Sequence, residues 1–400
     1  MDLSFLKPKL SSNKTMRIVL TGGGSGGHTF PLIAVFRELK KIARAQNIFL
    51  EIIYIGPDDF TLPYILKEEG IKIKRIVTGK LRRPFSFIKS IFDLFKTIGG
   101  IFQSLFYIYV LMPDAVFSKG GYGSFPVVFW GILFFIPTYI HESDAVPGLV
   151  NNIIGRFCRK IFISFDYTKK YFPVKKTLLT GNPVRLNLFE ISPTGKENTK
   201  KLLKLDIAKP VITIIGGSQG SRHINDLILD ILPKIIKNAE VIHQTGKTNY
   251  EEVIREADVV FQEIIGDKEQ QKFYHPLPFF EETAMPGSFS LKETLAVSDL
   301  IIARAGSGLI FEIAASGKPS ILIPLPWASR GHQKENAYEY TKNGAGVAVE
   351  EANLQPNIFS DLVLQIISDE KKKEKMSNKA TEFAKPQAAE QIAQYLLQNT

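Results

Sequence analysis

Residues 16–36, MRIVLTGGGSGGHTFPLIAVF, constrain the fold more than any other stretch. An apolar, largely β-branched run from Met16 to Leu20 enters a turn holding Gly22, Gly23, Gly24, Gly26 and Gly27, and His28 follows. Leu32, Ile33, Val35 and Phe36 then take helical spacing. A strand that passes through a glycine turn into a helix is the opening unit of a parallel α/β sheet. Glycine lets the turn adopt positive φ and approach a ligand closely. The helix start beyond it offers N–H groups to an anion or a sugar hydroxyl. Gly22, Gly24 and Gly27 also satisfy the GxGxxG spacing of dinucleotide sites. The acidic residue that those sites carry after the second strand is missing, because FLEIIYIGPDD runs through Ile55 and Gly56 before Asp58. The turn therefore reads as one for a phosphate or sugar of another kind.

The same unit recurs at 211–226, VITIIGGSQGSRHIND. Strands are expected near 16–21, 48–55, 71–77, 114–118, 137–141, 160–164 and 177–180. A second set is expected at 211–215, 240–244, 272–279, 299–304, 320–324 and 346–350, with helical stretches between most of them. The chain of 400 residues thus divides into two doubly wound α/β domains, in keeping with a prior of about 150 residues per domain. The expected boundaries are a loose tail at 1–15, a first domain at 16–186 and a linker at 187–209. A second domain follows at 210–385, then a closing helix at 386–400 with Ile392, Tyr395 and Leu396 on one face. The linker is polar and lysine-rich, with Pro193 and Gly195, and has room for a short helix at 196–205. Two such domains facing each other bring their strand C-termini, and both glycine turns, to one cleft. That arrangement suits an enzyme joining two substrates.

A formal net charge of +10 points to an anionic partner. The single cysteine, Cys158, excludes an internal disulfide and a multi-cysteine metal site. The opening MDLSFLKPKLSSNK lacks the apolar core of a signal peptide. The uncharged stretch 120–140 is interrupted by Gly131, Pro126 and Pro137, and 97–112 is short and holds Gly99 and Gly100. A spanning helix needs about 20 apolar residues, so no transmembrane helix and a cytoplasmic location are expected. Residues 72–112 mix Arg82, Arg83, Lys89 and other cations with Phe85, Phe87, Phe92, Phe95, Phe102 and Phe106. This mixture fits docking at a membrane interface. Nucleic acid binding uses the same ingredients, as does a core helix with a solvated lysine face.

Five further segments carry polar chemistry at strand ends. In GGSQGS, 216–221, Ser218 and the N–H groups of Gln219 and Gly220 suit a pyrophosphate, or the turn is simply tight. In RAGSGLIFEIAASGKP, 304–319, Gly306, Ser307 and Gly308 precede a helix carrying Glu312. That carboxylate can accept both hydroxyls of a ribose, or be a solvated helix-start residue. PWASRGHQKENA, 326–337, crowds His332, Gln333, Glu335 and Asn336 where a sugar contact or a plain helix start would do. HESDAVPGLVNN, 141–152, places His141, Glu142 and Asp144 close together, but the spacing matches no standard metal set. GNPVR, 181–185, sets Arg185 just after a strand, as a phosphate clamp would.

Taken together these motifs resemble the MurG family, the UDP-N-acetylglucosamine–lipid-linked N-acetylmuramyl-pentapeptide glycosyltransferases of peptidoglycan synthesis. The resemblance runs over about residues 16–398 and keeps the order GGGSGGHTFP, GGYGSFP, HESDAVPGL, TGNPVR, GGSQGSRHIN, HQTGK, RAGSGLIFEIAASGKP, HQKENA. It implies a GT-B fold, two Rossmann-like domains about a central cleft, with the C-terminal helix returning to the first domain. It implies transfer of N-acetylglucosamine from its UDP donor to the 4-hydroxyl of the muramyl sugar of lipid I, with inversion, giving lipid II. His28, which follows the glycine turn at the cleft, is the candidate general base for the attacking hydroxyl, with Glu142 either orienting that imidazole or acting as the base itself. Donor contacts fall on Ser25, Gly26, Gly27, Asp144, Arg185, Ser218, Gln219, Gly220, Phe280, Ser307, Gly308, Leu309, Glu312 and Gln333. Acceptor contacts fall on His28, Tyr122 and Ser124, and membrane contacts on Arg82, Arg83, Phe85, Phe87, Lys89 and Phe92. The implied partners are UDP-N-acetylglucosamine, the undecaprenyl-linked muramyl-pentapeptide and the anionic cytoplasmic face of the bacterial membrane, with no nucleic acid. No cofactor or bound metal is expected. Where the family usually reads HEQN this chain has Ser143 and Asp144, which turns an amide sugar contact into a carboxylate. Residues 280–298 are longer than the family's connection. Two related readings are a GT-B transferase with another lipid acceptor, such as diacylglycerol, and a non-catalytic UDP-sugar-binding protein. A dinucleotide-dependent oxidoreductase is the reading that the missing ribose acid and the second glycine turn oppose.

Overall fold

Parallel strands buried on both faces need continuous apolar runs, and the two glycine-turn strands supply them. A computed structural model describes residues 15–23, 26–57, 67, 69–79, 87–185, 195–217, 220–280 and 289–400, without the side chains of 26–29 and 87–90. Among these residues the first sheet comprises β1 (Met16–Thr21), β2 (Leu50–Gly56), β3 (Lys72–Arg75), β4 (Ala115–Ser118), β5 (Thr138–Glu142), β6 (Lys160–Ile163) and β7 (Thr177–Leu179). Its order is β3-β2-β1-β4-β5-β6-β7, parallel throughout. The second sheet comprises β8 (Val211–Ile215), β9 (Glu240–Gln244), β10 (Tyr274–Leu277), β11 (Leu300–Arg304), β12 (Ser320–Ile323) and β13 (Gly346–Ala348). Its order is β10-β9-β8-β11-β12-β13, again parallel. Each sheet reverses its winding beside its first strand, between β1 and β4 and between β8 and β11. These are the crevices where ligands of doubly wound sheets bind.

Two apolar layers sandwich each sheet. The closing helix, Ala388–Asn399, leaves the second domain and packs on helix Gly26–Ala45 of the first. Its Ile392, Ala393, Leu396 and Leu397 share a buried cluster with Leu32, Val35, Phe36 and Leu39. Tyr139 Oη donates to the carbonyl of Asn399 at 2.8 Å, and Tyr395 sets its ring against Phe162 at 5.5 Å. The domains also meet through the rings of Phe165, from the first, and Phe311 and Phe383, from the second, at 5.1–5.9 Å.

Two expectations change. The short helix anticipated within the linker is present as Gly195–Leu202, but Leu203 and Leu205 just beyond it lie in the core of the second domain. That part belongs to the second domain's packing. The second change concerns helix Phe87–Leu111, of which 91–111 is long and apolar enough to cross a membrane by length and composition. Gly99 and Gly100 do not break it. A Cβ on Gly100 would sit 2.0 Å from the carbonyl oxygen of Val77, so glycine there lets the 76–79 segment lie against the helix backbone. Gln103 accepts from Val77 N–H at 2.7 Å, and Trp130 Nε1 of helix Phe125–Leu133 donates to the carbonyl of Ile101 at 2.7 Å. One face, with Ser104 and Ile108, is buried. The opposite face leaves Phe92, Phe95, Phe102, Phe106 and Tyr109 exposed.

Candidate active site

β5 ends on Glu142, whose carboxylate turns into the protein at the cleft rather than out to solvent. It is 3% exposed, and the loop that follows wraps its oxygens. The N–H groups of Asp144 and Gly148 donate to it at 3.0 and 3.1 Å, and Asn151 Nδ2 at 2.9 Å. Burial raises the Glu142 pKa, and the Asp144 charge raises it further; the donors and the Lys119 ammonium pull the other way. Asn151 Nδ2 also donates to the carbonyl of His141 at 3.2 Å, and it has room because Gly120, with φ +83°, carries no Cβ, which would sit 2.7 Å from Nδ2. A cavity of about 240 Å³ opens here, lined by Tyr122, Glu142, Asp144 and Asn151 from the first domain and by Arg330 and His332 from the second. His332 Nδ1 donates to the carbonyl of Ser329 at 2.8 Å, which leaves Nε2 as the nitrogen for any other partner. His141, one residue before Glu142, is buried, and its Nε2 meets the carbonyl of Gly181 at 3.0 Å.

The second domain contributes two helix starts. Helix Ser307–Ala315 begins beyond β11 with Gly306 as its cap, so the amides of Ser307, Gly308 and Leu309 fall in the turn that has no intrahelical acceptor. One turn on, Glu312 is buried and accepts from Arg185 Nε of the first domain at 2.9 Å. The Arg185 guanidinium also stacks over Phe30 at 4.3 Å. Helix His332–Thr341 supplies Gln333, whose Oε1 accepts from Leu325 N–H at 3.0 Å, so its amide nitrogen is the end available as a donor. Asn336 on the same helix is fully buried and reads the other domain. Its Oδ1 accepts from Ala145 N–H at 2.7 Å and its Nδ2 donates to Asp144 Oδ1 at 2.8 Å. Arg330 adds a bond to the carbonyl of Pro147 at 3.2 Å.

Several residues expected to contact substrate hold bonds within the protein. Asp144 was expected on the donor sugar, but its carboxylate accepts from Asn336 across the cleft. Ser124 was expected on the acceptor, but it is buried and its hydroxyl donates to the carbonyl of Gly121 at 2.9 Å, shaping the turn. Gly220 was expected to offer its N–H to a pyrophosphate, but that N–H donates to the carbonyl of Gly217 at 3.0 Å, because the turn closes on itself. Phe280 was expected to meet a uracil through its backbone, and its ring is buried in the second core. Ser25, Ser218, Gln219, Arg82, Arg83 and Phe85 lie outside the described residues, as do the side chains of His28, Phe87 and Lys89; Gly26, Gly27 and His28 open helix Gly26–Ala45.

Sequence reasoning missed Lys119 entirely and grouped Asn336 with sugar contacts. A lysine directly after the apolar strand AVFS and before a glycine pair was the available signal for the first. Nothing local signals the second, since Asp144 lies 192 residues away.

Two doubly wound domains that meet at their strand C-termini, with helix starts on one side and the Glu142 cavity on the other, define the GT-B architecture of nucleotide-sugar enzymes. Residues 18–163 match the glycosyltransferase family 28 N-terminal domain and 211–392 the glycosyltransferase family 28 C-terminal domain. The chain belongs to the MurG family within that class. It is 36% identical over 367 residues, 91% of this chain and 94% of the relative, to the UDP-N-acetylglucosamine–N-acetylmuramyl-(pentapeptide) pyrophosphoryl-undecaprenol N-acetylglucosamine transferase of Clostridium novyi. It is 38% identical over 337 residues, 84% of this chain and 87% of the relative, to the second such transferase of Bacillus cereus. The crystal structure of Acinetobacter baumannii MurG shares the fold at a TM-score of 0.70 and 24% identity, covering 96% of this chain and 100% of that one. The UDP-GlcNAc 2-epimerase of Neisseria meningitidis, bound to UDP-GlcNAc, does so at 0.66 and 16% identity, covering 96% and 100%.

Proposed function

We propose that the two sides of the cleft divide the family's reaction between them. The reaction is transfer of N-acetylglucosamine from UDP-N-acetylglucosamine to the 4-hydroxyl of the muramyl sugar of lipid I, with inversion, yielding lipid II. The second domain takes the donor. Glu312 accepts the ribose hydroxyls, and Gln333 donates to the sugar. The amides of Ser307, Gly308 and Leu309, with Arg185 once the donor releases it from Glu312, meet the diphosphate and stabilise the leaving charge. We propose no cofactor, and UDP-N-acetylglucosamine is a substrate. The first domain takes the acceptor in the cavity beside Glu142 and Tyr122. His28 removes the proton from the attacking hydroxyl; a base must lie within about 3 Å of it, directly or through one water. Glu142 is the buried carboxylate that supports the resulting imidazolium.

The observation that carries this reading is the cavity beside Glu142, which is lined by residues of both domains. The test is to supply labelled UDP-N-acetylglucosamine with a lipid I analogue and, separately, with diacylglycerol. Label is expected on the lipid I analogue alone, and label on diacylglycerol alone overturns the reading.

The acceptor is lipid-linked, and we propose that the enzyme docks peripherally on the cytoplasmic face of the bacterial membrane through the 87–111 helix. Its outer face, with Phe92 at 64% exposure, continues into Phe129, Leu133 and Phe135, the last 93% exposed. Contiguous exposed apolar surface on this scale marks an interaction site. The buried inner face of the helix supports lying in the interface rather than crossing it.

A further inference from the structure

We infer that Lys119 is a positioning residue for the reaction, its buried ammonium, bound to the Ser143 hydroxyl, serving as the counter-charge to the Glu142 carboxylate at the acceptor cavity. The inference rests on the proposed role of Glu142. Lys119 directly follows β4, at the switch point of the first sheet. Its N–H donates to the carbonyl of Thr21 at 2.9 Å, and its Cβ lies 3.2 Å from where a Cβ on Gly22 would be. It therefore stands between the glycine turn and the 142–148 loop. Its side chain runs inward and is 1% exposed. The ammonium donates to the hydroxyl of Ser143, the residue between the two carboxylates.

A lysine is rarely buried this deeply unless its charge is matched. The charges that match it are Glu142 and Asp144, and they act against the burial that pushes the Lys119 pKa down to about 8. The same ammonium counteracts the two influences that raise Glu142, its own burial and the Asp144 charge. The other groups around Glu142 are the neutral amide of Asn151, Tyr122 from the segment after β4, and Arg330 and His332 from the second domain. Among the described cations near Glu142, Lys119 is the one buried with it; Arg330 is exposed, and one arm of it is spent on Pro147. Solvent therefore screens Arg330 and not Lys119.

The alternative is that Lys119 merely ties the glycine turn to the loop. Two readouts separate these roles in the full-length enzyme. The first is the titration of the Glu142 carboxyl, followed by carbon NMR on glutamate-labelled protein and assigned with Glu142→Gln. Lys119→Met should raise that midpoint by about 1–3 pH units, the usual effect of losing an adjacent opposite charge. Lys119→Arg should restore most of it. The second is the acidic limb of the pH–kcat profile, which should move up in pH by a similar amount while UDP affinity stays the same. Should Lys119→Met fold poorly, Ser143→Ala removes only the hydroxyl that anchors the ammonium, and it should move both readouts in the same direction by less. An unmoved Glu142 midpoint in the folded variants overturns the inference, whatever happens to activity. A midpoint that moves while the rate limb stays fixed upholds the Lys119–Glu142 coupling and overturns the part assigned to Glu142 in the reaction.

Discussion

Arg185 and Glu312 come from different domains and spend their charges on each other at 2.9 Å. Donor binding has to re-divide this pair, sending the guanidinium to the diphosphate and the carboxylate to the ribose. Glu312→Ala should weaken UDP by about 1.5–3 kcal/mol, the worth of hydrogen bonds to a charged group, as read by calorimetry. Combining it with Arg185→Ala should cost more than the two separate losses added, because each single change already relieves the remaining side chain of breaking the pair, and the sum counts that relief twice. Unchanged UDP affinity in Glu312→Ala would remove it from the ribose. Asp144 gives an opposite sign to Lys119. In Asp144→Asn an amide oxygen can still accept from Asn336, while the charge that helps to raise Glu142 is gone. The acidic limb of the rate profile should therefore move to lower pH, with turnover within a few fold. A loss above about 100-fold, roughly 2.7 kcal/mol, would mean that the Asp144 charge itself is needed. At this scale the sequence revealed positions better than partners. Glu142 was visible as a carboxylate at a strand end. Its hydrogen bonds come from Gly148 and Asn151 folding back over it, and the partner of Asp144 comes from another domain, so no local spacing encodes them.

Elements were legible wherever burial on both faces demanded a continuous apolar run, as in VITII of β8, all of it buried. They were misjudged where glycine had a contact role instead of a breaking one. Gly99 and Gly100 lie inside the 87–111 helix because the 76–79 segment crosses their bare backbone, a tertiary fact that composition does not carry. The exposed side of this helix predicts its behaviour. Phe95→Ser with Phe102→Ser should reduce sedimentation with anionic vesicles while leaving UDP affinity intact. Parent binding should also weaken as salt shortens the screening length from about 10 Å at 0.1 M to about 3 Å at 1 M. Equal binding of parent and variant would count against docking through this face. The closing helix makes a separate prediction. Leu396 is fully buried against the 26–45 helix, so Leu396→Ala should destabilise the first domain by about 2–5 kcal/mol, measured by urea unfolding. A change below about 0.5 kcal/mol, the scale of surface substitutions, would mean that this helix does not brace that domain.

At the scale of the whole molecule, two similar halves were readable from the recurring strand–turn–helix unit, and the cleft followed from facing strand ends. How the halves hold each other was not readable, because the contacts join residues far apart in the chain. Asn336 clasps Ala145 and Asp144, and the rings of Phe165, Phe311 and Phe383 join the two domains. Removing the clasp with Asn336→Ala should loosen the closed arrangement, seen as a larger radius of gyration by small-angle scattering. It should lower kcat more than UDP affinity, since the donor side stays intact. An unchanged radius with unchanged kcat would deny the clasp any part in closure. The central claim is that donor groups on one domain deliver the sugar to an acceptor activated by His28 and Glu142 on the other. Single-turnover transfer from UDP-N-acetylglucosamine to a lipid I analogue tests it most directly, comparing the parent with His28→Ala and Glu142→Ala alongside UDP calorimetry. The account predicts that transfer falls by about 10²–10⁴ in His28→Ala, that it also falls in Glu142→Ala, and that both variants still bind UDP as the parent does. Transfer at the parental rate in both folded variants would contradict it.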